Sequence, residues 1–140
     1  MTTVVLDRPV PKAWSVALWV VQFLLAFLFG GAGFAKLTTP LPELATMLPY
    51  TADLPGALVR FIGASELAAA VGLVLPALFR VLPFLTIWAA IGLNIIMWLA
   101  TLFHLFRAEW RDMLVTFVIG NVAAFVALGR LKKAPISARG

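Results

Sequence analysis

Three ionisable residues stand inside apolar sequence that ordinarily excludes them. Lys36 closes GGAGFAKL, Glu66 lies within RFIGASELAAAVGLVLP, and His104 falls in FHLFRAE. A carboxylate, an ammonium with three donors and an imidazole can together grip a carbonyl or a polar headgroup and relay a proton. The same residues could instead close a charge-paired clasp between helices. Both readings require that something bring residues 36, 66 and 104 to one place.

The energetics of Glu66 demand a partner. Holding a glutamate neutral at pH 7 costs about 3.7 kcal/mol against a reference pKa of about 4.3. A charge left at mid-membrane costs at least about 2.5–3.5 kcal/mol. A cation at ~4 Å returns up to ~4 kcal/mol at an effective dielectric of about 20. With a partner, the ionised form wins. Lys36 and His104 are the expected partners by depth. Arg60 is not, because six helical residues turn it about 120° away from Glu66.

Composition says what surrounds these residues. Of 140 positions, 63% are hydrophobic and 12% charged, and mean hydropathy is +1.03. A soluble domain is roughly 45–50% apolar and about 25% charged, and so short a chain cannot hide this excess in its own core. The solvent is lipid. The net charge of +5 collects at segment ends, a pattern suited to anionic membrane surfaces and not to nucleic acid. Cysteine is absent and His104 is the only histidine. Thiol chemistry, iron–sulfur clusters and a haem held by two histidines of this chain are therefore excluded, and no metal centre is expected.

The expected fold is all-α: an integral membrane four-helix bundle with a short surface helix in the first loop. Residues 1–12 form an extended cytoplasmic lead. Residues 13–129 form a single membrane domain with spans at about 13–37, 57–79, 83–106 and 113–129, each close to the ~20 apolar residues that a crossing needs. The first run is too long for a signal-peptide core and reads as a retained span. Thr38–Gly56 holds four prolines and reads as a short helix with Leu41, Leu44, Met47 and Leu48 on one face, then a turn, together a lid. Residues 130–140 form a basic cytoplasmic tail. Ala64, Ala68 and Gly72 offer a flat helix-packing face, and the glycines before Lys36 permit close contact. Asn94 and Asn121 are expected to bond to each other across adjacent spans, and Gln22 is given no function. Trp88, Phe84, Trp98, Phe103 and Phe106 read as lipid-facing or packing aromatics.

Basic residues set the orientation. Arg8, Lys12, Arg80, Arg130, Lys132, Lys133 and Arg139 gather on one side. Lys36, Arg60, Arg107 and Arg111 lie on the other, interleaved with acids. The positive-inside rule places both termini in the cytoplasm, in the cell inner (plasma) membrane. Lys36, Glu66 and His104 then meet at the outer end as ligand-binding candidates, with Arg60, Arg107 and Asp112 as supporting charges.

These stretches resemble the DoxX family, specifically its DoxX-like branch. The likeness rests on GGAGFAKL, FIGASELAAAVGLVLP and FHLFRAE in order, and covers roughly Trp14 to Leu128. It implies a compact four-helix membrane fold and maps its motifs onto Lys36, Glu66 and His104. The namesake is similar to a small subunit of a membrane thiosulfate–quinone oxidoreductase, and other members look like accessory subunits of redox complexes. The resemblance thus implies an accessory role over a catalytic one. A redox role would then come from a bound quinone or a partner redox subunit; no covalent cofactor is expected, a lipid could fill the same pocket, and a homo-oligomer in the bilayer is a further expectation. If the chain were catalytic it would serve within an oxidoreductase. Two alternatives stay open: an intramembrane acid–base enzyme on a lipid-like substrate, and a proton-coupled small-molecule transporter.

Overall fold

The computed structural model describes residues 9–140, so most of the expected extended lead, with Arg8, lies outside the described residues. Helix α1 covers Lys12–Thr38, the short α2 Leu41–Met47, α3 Gly56–Phe79, α4 Phe84–Phe106 and α5 Trp110–Leu128. A 3₁₀ turn at Pro49–Asp53 follows α2, and a π-helical turn, Gly129–Lys133, extends α5. No strand occurs among the described residues. The four long helices are each long and apolar enough to cross a bilayer. The chain is an all-α, multi-pass membrane protein with a short helix in its first loop.

Each long helix turns one stripe inward at helical spacing. In α1 the stripe is Leu18, Gln22, Leu25, Phe29, Gly33 and Lys36. In α4 it is Thr86, Ala90, Leu93, Met97, Thr101 and His104. In α3, Val59, Gly63, Glu66, Ala70, Leu73 and Ala77 do the same. The middle of these stripes forms one apolar core with Ala123 and Val126 of α5. The polar members fall at the stripe ends. Outside the stripes, large side chains such as Phe27 and Phe106 are almost fully exposed, as a lipid-facing surface requires.

Helix α1 packs along α3 and α4 along α5, with α3 against α4 joining the two pairs. The close approach of α1 to α3 runs through Gly33 and Gly63: a Cβ on Gly33 would lie 2.6 Å from the Gly63 carbonyl oxygen. This differs from the expected Ala64–Ala68–Gly72 face. Ala64 and Ala68 are exposed, and Gly72 meets Ala89 of α4. A residue at position 63 lies on the buried stripe, whereas its neighbour at 64 is rotated about 100° away. The expected Asn94–Asn121 bond is also corrected. Asn94 Nδ2 donates to the Gly120 carbonyl at 2.7 Å, while Asn121 Nδ2 donates within α5 to Phe117 O at 2.8 Å. Asn94 still ties α4 to α5, through backbone instead of side chain. In α2, only Leu44 turns fully inward, and Met47 is exposed.

Helix–loop connections leave two distinct ends. The loop end carries α2, the 3₁₀ turn and the α4–α5 turn. The tail end carries the α3–α4 turn and the C-terminal residues.

Candidate functional site

At the loop end, Lys36 from the last turn of α1 reaches Glu66 of α3. Its Nζ donates to Glu66 Oε2 at 2.7 Å, with the two side chains only 4% and 5% exposed. The pair is in contact because Gly33 and Gly63, one turn away on each helix, bring the backbones together. Arg60 Nη1 donates to the Lys36 carbonyl. That carbonyl is one of the acceptors a helix C-terminus leaves without an internal donor, and a cation there also opposes the helix dipole. Arg60 therefore positions the Lys36 backbone instead of pairing with Glu66.

His104 occupies the same end, but its direct partner is not Glu66. Nδ1 lies 2.6 Å from Glu109 Oε2. The cause is the tight turn after α4. Ala108 adopts a left-handed backbone, φ 55, and the Glu109 N–H donates to His104 O at 3.0 Å. The chain thereby folds the Glu109 carboxylate back onto the ring. An ionised carboxylate only accepts, so Nδ1 carries the hydrogen, and Nε2 is the acceptor of the neutral ring. Arg107 Nε donates to the other oxygen, Oε1, at 2.9 Å. The His104 bond, then the Arg107 bond, hold the Glu109 carboxyl below the ordinary carboxylate range. Glu109, with Asp53, pushes the exposed Arg107 guanidinium still higher.

Tyr50 links the two pairs, and sequence reasoning missed it. It comes from the 3₁₀ turn of the lid and lies edge-on to His104, ring centroids 5.6 Å apart, and to Phe103 at 6.4 Å. Its hydroxyl neighbours the Lys36 ammonium, although burial outweighs that cation and pushes the phenol pKa up. Tyr50 therefore keeps its proton throughout the neutral range. Arg107 Nη2 holds the lid from outside, 2.7 Å from Asp53 Oδ2. An exposed bridge of this kind contributes about 0–1 kcal/mol. The available signal for Tyr50 was its count, the single tyrosine of the chain, in a loop already read as a lid.

The expected site residues thus divide. Lys36 and Glu66 meet directly; His104 joins them by way of Tyr50; Arg60 and Arg107 bind the backbone and the lid. Asp112 approaches His104 and Glu109, and the three offer ligand atoms within 4.8 Å of one another. That cluster of nitrogen and carboxylate donors is the arrangement among the described residues with the composition for a cation, and sequence spacing did not anticipate it. Its Glu109 oxygens are already engaged by His104 and Arg107. Of the aromatics, Phe103 packs on His104 at 5.4 Å, whereas Phe84, Trp88, Trp98 and Phe106 are exposed.

Acid should loosen the turn after α4. Glu109 has a lowered pKa, so its contribution is complete above the ordinary value of 4.5 and is lost as pH falls through the lower folded value. Trp110 adjoins Glu109, and its fluorescence should change as pH falls below about 4.5. Glu109→Gln should remove the transition; an identical transition in that variant would assign it elsewhere.

A cavity of about 790 Å³ is an apolar groove on the lipid-facing seam between α1 and α3, from Val20 to Gly30 and from Leu67 to Leu75. Its loop-end members lie next to the site: Leu67 follows Glu66, and Gly30 is under two turns from Lys36. The combination of a buried cation, acid, phenol and imidazole with an adjoining apolar groove fits an amphipathic molecule with a hydrogen-bonding head.

No curated protein and no solved structure matches the chain. Residues 20–126 match the DoxX-like family, a span that contains Lys36, Glu66, the lid and His104, and the chain belongs to that family.

Proposed function

We propose that this DoxX-like protein is a small accessory subunit of a membrane redox complex that holds a quinone or lipid at its loop end. The observation that carries this reading is the meeting of Lys36, Glu66, Tyr50 and His104 within a lidded, largely buried end of the bundle. Lys36 and Tyr50 supply donors to a quinone carbonyl or a headgroup oxygen. His104, with Glu109 fixing its tautomer, can accept and return a proton at Nε2. The groove between α1 and α3 takes the tail of such a molecule, since an isoprenoid or acyl chain belongs on an apolar, lipid-facing surface. The chain has no cysteine, so its electrons would come from the bound quinone or a partner subunit. With the basic tail in the cytoplasm, this end faces outward.

The double variant Glu66→Gln, Lys36→Ala tests the reading. Gently extracted wild-type protein should carry a quinone or lipid detectable by mass spectrometry, and the variant should lose it while remaining monodisperse. Unchanged ligand content in the variant would remove the pocket. One observation favours a second reading: the 2.7 Å bond already joins Lys36 to Glu66 directly. A clasp of this kind fixes α1 against α3 with no ligand, and it predicts reduced stability without a change in bound molecules.

A further inference from the structure

The opposite end contains a second buried polar group, one the sequence reading assigned to a solvated basic tail. Arg130 does not lie in solvent. It stands in the π-helical turn that continues α5, and it is 3% exposed. Its Nε donates to Gln22 Oε1 at 2.6 Å, and Gln22, wholly buried, passes the chain on to Leu73 O at 2.5 Å through Nε2. Arg130 Nη1 donates to Ala134 O at 3.2 Å, and the guanidinium lies over the Trp19 ring, 5.0 Å from its centroid. Nη2 is buried and has no partner among the described residues. The hydroxyl of Thr86, a residue 1% exposed, is likewise buried without one.

The two residues that carry these atoms line one cavity. It measures about 230 Å³ and is walled by Arg130, Thr86, Pro83, Phe84, Pro135 and Ile136. The C-terminal residues close it as a strap: Arg80 donates to Ser137 O at 2.9 Å and to Ser137 Oγ at 2.8 Å. The Arg139 N–H returns a bond to Arg80 O at 2.8 Å. The first turn of α4 forms another wall, with Pro83 as its N-cap and no side-chain cap bond, so the positive end of the helix dipole adds to the arginine charge. Five of the six acids, Glu43, Asp53, Glu66, Glu109 and Asp112, belong to the loop side. Arg130 therefore has no carboxylate counter-ion among the described residues.

The geometry points to an anion site at the tail end, in which Arg130 Nη2 and Thr86 Oγ1 bind a phosphate group. A guanidinium anchored through Nε and Nη1 presents Nη2 in a fixed direction, and a planar fork with a neighbouring hydroxyl suits phosphate oxygens. The surrounding Arg80, Lys132, Lys133 and Arg139 raise the local concentration of anions. A phospholipid headgroup and free phosphate share this chemistry. The site is separate from the loop-end cluster and does not depend on its function.

Native mass spectrometry and thermal melting of the full chain in a neutral detergent test it, with inorganic phosphate, phosphatidylglycerol and diacylglycerol as probes. Wild type should retain and be stabilised by a phosphate-bearing probe but not by diacylglycerol. Stabilisation by inorganic phosphate would mark a free anion as sufficient; response to phosphatidylglycerol alone would mark the headgroup. Thr86→Val removes only a hydroxyl that has no partner among the described residues, so it should fold and weaken binding about tenfold, as loss of one charge-assisted bond implies. Arg130→Gln should abolish binding. The proposal is overturned if no probe binds, if Thr86→Val binds as wild type does, or if binding emerges only in Asp7→Asn. The last result would make the chain's own lead the occupant.

Discussion

Glu66→Ala should destabilise the protein by about 3–5 kcal/mol, the usual cost of removing one partner from a buried ion pair. Lys36 would be left in a setting where it is 3% exposed, its Nζ deprived of the oxygen 2.7 Å away. Lys36→Ala should cost a similar amount by stranding the carboxylate. The double change to apolar residues of like volume, Lys36→Met with Glu66→Leu, should recover most of the loss, because both desolvation penalties vanish together. Thermal unfolding in detergent, read as a double-mutant cycle, measures this. Additive single and double effects would mean that the two groups are not energetically coupled, and the clasp would lose its basis. If the stable apolar double variant also loses its co-purified ligand, stability and binding are separate properties of the same pair.

How far this end could be read from sequence depends on what each residue's position encodes. Lys36 and Glu66 were legible because each occupies the inward stripe of a long helix at matching depth, and depth follows from counting 1.5 Å per residue. His104 was legible by depth and not by partner. Its carboxylate comes from Glu109, which helical periodicity leaves outside the span and only the left-handed Ala108 turns back. Tyr50 depends on how a proline-rich lid closes, which no periodic pattern specifies. Arg130 was misplaced for a different reason. RLKK reads as a solvated tail by composition, yet the helix continues as a π-helical turn through Gly129–Lys133 and carries residue 130 onto the inner stripe. Gly129 permits this, since a Cβ there would lie 2.5 Å from Leu18 Cδ2. Gln22, its acceptor, carries no charge and so drew no attention inside an apolar run.

Gly33→Ala should be the most damaging single-methyl change in α1. The new Cβ would meet the Gly63 carbonyl oxygen at 2.6 Å and the Leu67 nitrogen at 2.7 Å. Both are backbone atoms of α3, so relief requires the helix itself to move. Overpacking of this kind costs about 1–3 kcal/mol, against a gain of about 0.5–1 kcal/mol from replacing a helical glycine. The net effect is destabilising, and larger side chains at position 33 should worsen it steeply. Gly31→Ala provides the contrast: its Cβ would meet nothing within 4 Å, so only the favourable propensity remains and stability should rise slightly. Melting of both variants separates contact from propensity, because the two explanations assign Gly33→Ala opposite signs. The same measurement bears on the site. Lys36 lies one turn beyond Gly33, and Glu66 nearly one turn beyond Gly63. Moving α3 outward stretches the Lys36–Glu66 bond, so Gly33→Ala should lose ligand as well as stability, though neither charged residue has been altered. Retained ligand in a destabilised Gly33→Ala protein would show that the pair tolerates the displacement, and that the glycine contact serves packing alone.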